Sequence, residues 1–355
     1  MRRFLSALFA ATALGASAGA DTPEAVFADL ASSNADVALG LAWSEDGGAR
    51  HVLVSGPTRR GGRPVARDAL WHVGSITKSF TAALALVMAE AGEIDLDGPV
   101  AAHLPGETLH PDWQGVTFRE ALSHTGGLPA NVSPLSLLRP GRGGPDERRL
   151  TQLRRLWGDA LPGTPGKHAY SNIGYVFVGA ALEAASGTPW ERLVRERVAA
   201  PAGLGSVGLG PPRGEGDPRG HRRIAGLTFS VDPARPWADN PAWMGPAGTL
   251  HMSLGDLLGW AETLRLSCAE GALIGRESCA EMTTPQAADY GLGLVVESLP
   301  GGERLVWHNG SNTMWYAVVG FVPERGIALA VTLNRFDRAL GDGLFAAARE
   351  ALMAR

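Results

Sequence analysis

The sequence predicts an α+β fold, an antiparallel β-sheet flanked by helices with a mostly helical lobe inserted into it. Three observations predict it. Helix and strand signals mix over the first eighty residues, and helical periodicity dominates the middle of the chain. From about residue 292, four strand-like runs then follow one another before a final amphipathic helix. The chain has 355 residues, more than one compact core usually organises, which fits two lobes. The sheet lobe is expected over about 21–80 plus 267–355, and the helical lobe over about 81–266.

Residues 1–20 read as a signal peptide. Arg2 and Arg3 start it, residues 4–14 are an apolar run too short for a permanent span, and Ala18-Gly19-Ala20 supply the small residues of a cleavage site before Asp21. A secreted, periplasmic protein is therefore expected. No later run approaches 18 apolar residues, so no stable membrane anchor is expected. The elements then follow in order. Residues 23–32 are a short helix. Residues 37–44 and 51–55 form a hairpin around Asp46-Gly47-Gly48. A short strand ends near Val73, and a helix over 80–91 closes at Gly92. Residues 94–104 are turn-rich. Thr117 and Glu120 form a capping box for a helix over 117–123, which His124-Thr125-Gly126-Gly127-Leu128-Pro129 breaks. Residues 131–149 are expected as a mobile surface loop. Helices follow over 150–161, 174–186 and 189–198. Residues 203–246 lack periodicity and should wrap the surface or roof a cleft. Ser253 caps a helix to residue 266. The late strands are 292–297, 305–308, 315–322 and 327–334, and the last helix is 338–354.

Composition excludes several classes. Hydrophobic and charged fractions of 45% and 19% are ordinary for a globular enzyme. A net charge of −4, with no basic stripe interleaved with aromatics, excludes nucleic acid as an expected partner. The two cysteines, Cys268 and Cys279, form either a disulfide or a pair of buried thiols. With scattered histidines they give no metal-ligand spacing, so neither metal nor cofactor is expected. The arginines Arg148, Arg149, Arg154 and Arg155 are expected on a solvated helix face.

The candidate chemistry starts from lysine. Of 32 basic residues only Lys78 and Lys167 are lysine. Arginine keeps its proton near neutral pH, whereas a desolvated lysine can lose it. In Ser75-Ile76-Thr77-Lys78 a hydroxyl and an amine share one helix face one turn apart, where the amine can take the hydroxyl's proton. Tyr170-Ser171-Asn172 lies about 95 residues on. Its phenol, with acidity raised by one or both lysines, could shuttle a proton, and the Asn172 amide could hold a substrate amide or carbonyl. Trp307-His308-Asn309-Gly310-Ser311 follows a predicted strand. Its glycine lets an extended substrate lie close and leaves an N–H free for an oxyanion. Asn309 could donate a further hydrogen bond. His124 is read as a structural histidine tying down its glycine turn, and Lys167 as a solvated loop residue.

These motifs, in this order and at these separations, resemble the serine β-lactamase-like hydrolases. That group holds class C β-lactamases, D-alanyl-D-alanine carboxypeptidases and related esterases. Flanking segments agree, among them Glu93-Ile94-Asp95-Leu96-Asp97, Pro165-Gly166 and Ala247-Gly248-Thr249-Leu250. The resemblance implies the β-lactamase/transpeptidase-like fold. It also implies Ser75 as acylated nucleophile, Lys78 as its activator and Tyr170 as a partner in acid–base work. Asn172, His308, Gly310 and Ser311 would bind substrate, with the N–H groups of Ser75 and Ser311 as oxyanion hole. Class C β-lactamases carry Lys-Thr-Gly where this chain has His308-Asn309-Gly310, which aligns it with the carboxypeptidase and esterase branches. The expected substrate is an ester or a D-alanyl peptide, handled through an acyl-enzyme. The alternatives are a class C-like β-lactamase or a non-catalytic module that binds cell-wall peptides.

Overall fold

The computed structural model describes residues 22–133, 136, 141–224 and 227–355. The expected signal segment, and residues 134–135 and 137–140 of the expected surface loop, lie outside them. Helix α1 (Pro23–Ser33) and strands β1 (Leu39–Glu45), β2 (His51–Ser55) and β3 (Leu70–His72) open the chain. Helices α2 (Thr77–Glu90), α3 (Pro111–Gln114), α4 (Phe118–Leu122), α5 (Pro145–Arg154), α6 (Asn172–Ser186) and α7 (Trp190–Val194) follow. The roof segment carries strands β4 (Gly208–Leu209), β5 (His221–Ile224) and β6 (Leu227–Ser230) and the one-turn helix α8 (Gly245–Gly248). Then come β7 (Leu250–Ser253), α9 (Leu254–Glu270), α10 (Arg276–Met282), β8 (Val295–Ser298), β9 (Arg304–Gly310), β10 (Tyr316–Val322), β11 (Ile327–Leu333) and α11 (Arg338–Met353).

The main sheet has six strands in the order β2-β1-β11-β10-β9-β8. Every pairing in it is antiparallel, and β1 joins β11 from Leu39↔Leu333 to Glu45↔Ile327, so the two ends of the chain share the sheet's centre. The two faces are sorted by side-chain size. Leu39, Leu41, Trp43, Leu329, Val331 and Leu333 point to one face and pack with Phe27 of α1 and Leu344 and Phe345 of α11. The alternate positions are small, with Ala38, Ala42, Ala328 and Ala330 on the other core. That small face lets α9 lie close to β11, β10 and β1. At Gly40 a methyl group would stand 2.7 Å from Leu254 Cδ2 of α9 and 2.5 Å from Thr332 Oγ1. Period-2 alternation thus places both layers. Helix α9, assigned from the sequence to the helical lobe, packs on the sheet instead.

Several expectations need correction. The expected helix over 150–161 starts at Pro145 and ends at Arg154. Glu147 reaches back to the Gly144 N–H at 3.0 Å, so the helix takes its first turn from the expected loop. Arg149 is not solvated: its side chain has no exposure. Its Nη1 pairs with Glu183 of α6, its Nη2 lies 2.6 Å from Glu191 of α7, and its Nε donates to Trp243 O at 3.1 Å. A buried guanidinium is tolerable only when such partners surround it. This one ties α5, α6 and α7 to the roof. Of the two alternatives for the cysteines, the structure forms the disulfide, Cys268–Cys279, clamping α9 to α10.

Two measurements check this framework. Replacing both cysteines with alanine should lower unfolding free energy by about 3 kcal/mol in urea titrations, from the loss of a short closed loop. Arg149→Ala should cost about 3 kcal/mol in the same assay, because two partly buried carboxylates lose their partner.

Candidate active site

Strand β3 delivers the chain to a single 3₁₀ turn, Gly74–Ile76, which runs directly into α2. Gly74 takes φ +53, the left-handed conformation that suits glycine. The turn is braced by hydroxyls: Thr77 Oγ1 donates to Gly74 O and Ser79 Oγ to Ile76 O, both at 2.7 Å, while Trp260 Nε1 donates to Ser79 Oγ at 2.8 Å. Within residues 71–80 all are buried except Ser75, which is partly exposed.

Lys78 lies one turn on, with no exposure. Its Nζ donates to Ala247 O at 2.6 Å and to Ser75 Oγ at 3.1 Å. The rings of Tyr170 and Tyr175 close over it, with centroids 4.9 and 5.5 Å away. Removed from water, the ammonium is disfavoured, and burial holds the amine well below the usual lysine range. The amine against the serine hydroxyl thus gives up its proton more readily than an exposed lysine does.

Tyr170 hydrogen-bonds Ser75 from the other side, and burial pushes its phenol up. This corrects the expectation that lysines would make the phenol more acidic. Lys167 is exposed at the surface, and burial outweighs any stabilisation of phenolate. Tyr170 therefore keeps its proton at neutral pH.

Ser171 caps α6, its Oγ accepting the Gly174 N–H at 2.9 Å. Asn172 is the first residue of that helix rather than part of an extended stretch. Its Nδ2 donates to Asn131 Oδ1 at 2.8 Å. His124, with φ +63, accepts the Ser171 N–H at Nδ1 (3.1 Å), and its carbonyl accepts the Ala169 N–H (2.8 Å). It is a structural residue, and what it ties down is the segment carrying Tyr170 rather than its own glycine turn.

The edge of β9 forms the opposite wall. A methyl group on Gly310 would stand 2.0 Å from Val73 O and 2.6 Å from Ser75 N. A methyl on Gly74 would stand 2.2 Å from Ser311 N. Gly310 is thus required because the turn that carries Ser75 abuts β9, whatever substrate binds. The backbone N–H groups of Ser75 and Ser311 lie on the two sides of that contact. Asn309 points away from the cleft: its Nδ2 donates to Tyr316 Oη at 2.9 Å, so it is not a substrate donor. Strand alternation puts it on the α11 face.

His308 is buried. Nδ1 lies against its neighbour's carbonyl, Asn309 O, and Nε2 lies 3.1 Å from Tyr290 Oη. Burial, with Lys78 nearby, lowers its pKa to about 3. It is a neutral ring in the wall and brings no cation to the cleft. Tyr290 and Tyr175 were not anticipated. Three of the chain's four tyrosines gather around Lys78 and His308. Their scarcity was the available signal, of the same kind as the scarcity of lysine.

The family model described as Beta-lactamase matches residues 28–353. This chain belongs to the beta-lactamase family. Among curated proteins it is 27% identical over 304 residues to penicillin-binding protein 4 of Amycolatopsis lactamdurans, covering 80% of this chain and 77% of that protein. It is 28% identical over 222 residues to the D-alanyl-D-alanine-carboxypeptidase/endopeptidase AmpH of Escherichia coli K12, covering 61% of this chain and 54% of that one. Among solved structures, a D-stereospecific amidohydrolase from Streptomyces sp. superposes with TM-score 0.69 at 26% identity, covering 89% of this chain and 94% of that one. The fold expected from the sequence is therefore the observed one.

Because β9 and the nucleophile turn touch at Gly310, Gly310→Ala should separate them. Labelling of the purified variant by a fluorophosphonate probe should fall by more than tenfold relative to the parent, on the scale of losing an oxyanion donor.

Proposed function

We propose that this beta-lactamase-family serine hydrolase is a secreted, periplasmic enzyme that works through an acyl-enzyme on Ser75, with an ester or a D-alanyl or related D-amino acid peptide as acyl donor. The observation that carries the reading is the buried Lys78 amine, its pKa lowered by desolvation, 3.1 Å from Ser75 Oγ. In this reading the Lys78 amine takes the Ser75 proton as Oγ attacks the carbonyl carbon. The N–H groups of Ser75 and Ser311 hold the resulting oxyanion. Tyr170, still protonated, gives its proton to the leaving group and recovers one from the Lys78 ammonium. Water then cleaves the acyl-enzyme by the reverse proton path, releasing the acid and restoring Ser75.

The relatives support the donor class. AmpH is named a D-alanyl-D-alanine carboxypeptidase/endopeptidase and the Streptomyces protein a D-stereospecific amidohydrolase. His308 argues against efficient β-lactam turnover, since it offers a neutral ring where class C enzymes present a lysine. Secretion is supported by the basic, then apolar, then small-residue start of the chain. The Cys268–Cys279 disulfide suits an oxidising compartment.

A fluorophosphonate should label the parent protein at Ser75 and leave Ser75→Ala unlabelled; an intact parent that takes no label overturns the reading. Across short-chain esters, a D-alanyl-D-alanine peptide and nitrocefin, turnover should be lowest for nitrocefin. Lys78→Arg keeps the charge and removes the base, so kcat/KM should fall by roughly 10²–10⁴-fold. The pH profile carries a sign. The active form is the free amine, so kcat/KM for a neutral ester should rise with pH through the lowered Lys78 pKa. It should level off well below pH 10.5, the ordinary lysine value. A profile still rising near 10.5 would show that Lys78 is not the base.

A further inference from the structure

We infer that Asp239, acting with His72, is a positioning residue of the oxyanion hole. One buried carboxylate oxygen ties the turn that carries Ser75 to the turn that carries Ser311. The inference rests on the acyl-enzyme reading above and adds to it two residues from segments outside its motifs.

Asp239 lies in the roof, between β6 and α8. Its Oδ1 is 2.7 Å from His72 Nε2, with His72 wholly buried and the carboxylate 7% exposed. The same Oδ1 accepts from Asn312 Nδ2 at 2.9 Å and from the Asn240 N–H at 2.7 Å. On the nucleophile side, His72 Nδ1 accepts the Gly74 N–H at 3.1 Å. A neutral ring that accepts at Nδ1 carries its proton on Nε2, the atom facing Asp239. On the opposite wall, Asn312 Oδ1 accepts the N–H groups of Met314 and Trp315 at 3.2 and 3.3 Å. Ser311 Oγ closes that turn on Trp315 O at 2.5 Å, across Thr313 at φ +73. The Trp315 ring stacks on His72, with centroids 5.7 Å apart. Asn240 extends the brace by donating Nδ2 to Gly248 O at 2.7 Å, beside the Ala247 carbonyl that holds Lys78.

The physical case is one of preorganisation. Oxyanion donors stabilise a transition state because they are fixed before charge develops, and small misplacements are costly. Here both donors sit on turns, one a single 3₁₀ turn and the other beyond the end of β9. Neither turn is held by a regular hydrogen-bond ladder. A carboxylate accepts and cannot donate, so it fixes which way both the imidazole and the Asn312 amide face. Asp239 Oδ2 is buried without a hydrogen-bond partner, and His72 Nε2 meets Oδ1 at 2.7 Å as a close polar contact rather than a hydrogen bond. The bracing therefore runs through Oδ1, an atom that asparagine also possesses.

That asymmetry supplies the test, made on the full chain with a p-nitrophenyl ester and a boronic acid inhibitor. Asp239→Ala should lower kcat on the order of 10²-fold, as for a lost oxyanion donor, and weaken the boronate by a similar factor. KM should stay within about twofold and circular dichroism unchanged. Asp239→Asn keeps an acceptor at Oδ1 and should remain within about tenfold of the parent in kcat. The inference is overturned if Asp239→Ala keeps its kcat, if only KM moves, or if the asparagine variant is as impaired as the alanine one. Should Asp239→Ala fail to fold, Asn312→Ala gives the same reading: a kcat loss with KM retained supports the brace, and an unchanged kcat overturns it. Ser75→Ala is run in parallel; if it retains turnover, the acyl-enzyme reading fails and not the brace.

Discussion

The desolvation of one amine governs the arrangement of this molecule. In the proposed reaction Lys78 acts on Ser75 as a free amine, and exclusion of water is what lowers its pKa toward that form. That exclusion takes segments far apart in the chain. Helix α2 brings the residue in, Tyr170 and Tyr175 cover it from the helical lobe, and the Ala247 carbonyl of the roof takes a hydrogen bond from its nitrogen. Among the described residues no acidic side chain ion-pairs with it. A carboxylate there would favour the ammonium and remove the base.

The same exclusion sets the state of the groups around it. Tyr170 and His308 are both held neutral by burial, one keeping its phenolic proton and the other refusing an extra one. The site thus sets an amine of lowered pKa, a neutral phenol and a neutral imidazole around a serine. In the proposed reaction charge develops there. Backbone N–H groups then carry the electrostatic work, which is why the two glycines at the β9 contact matter as much as the titratable side chains. Away from the serine, the buried charge of Arg149 is paired with two glutamates. There it holds the roof that supplies Ala247.

Much of the candidate site was legible in the chain. Ser75, Lys78 and Tyr170 do meet, and the capping box at Thr117 and Glu120 forms as read. These were local signals: a spacing along one helix, a cap, a hairpin turn. The misreadings share a cause. Arg149 looked solvated because its glutamates are 34 and 42 residues away. Tyr170 looked acidified because proximity to lysine was legible and burial was not. Asn309 looked available because the face a strand residue takes depends on which face is covered.

By itself the sequence indicated most elements, their order and the candidate reacting groups. Periodicity, caps and turn residues act over a few positions, and a serine, a lysine and a tyrosine bring their chemistry wherever they are placed. The tertiary structure alone decided the protonation states, the neutral lining of the β9 wall and the contact between Gly310 and the nucleophile turn. Each of these depends on which distant segments exclude water or touch backbone to backbone. Desolvation and close approach are properties of packing between segments far apart in the chain, and a one-dimensional pattern does not carry them.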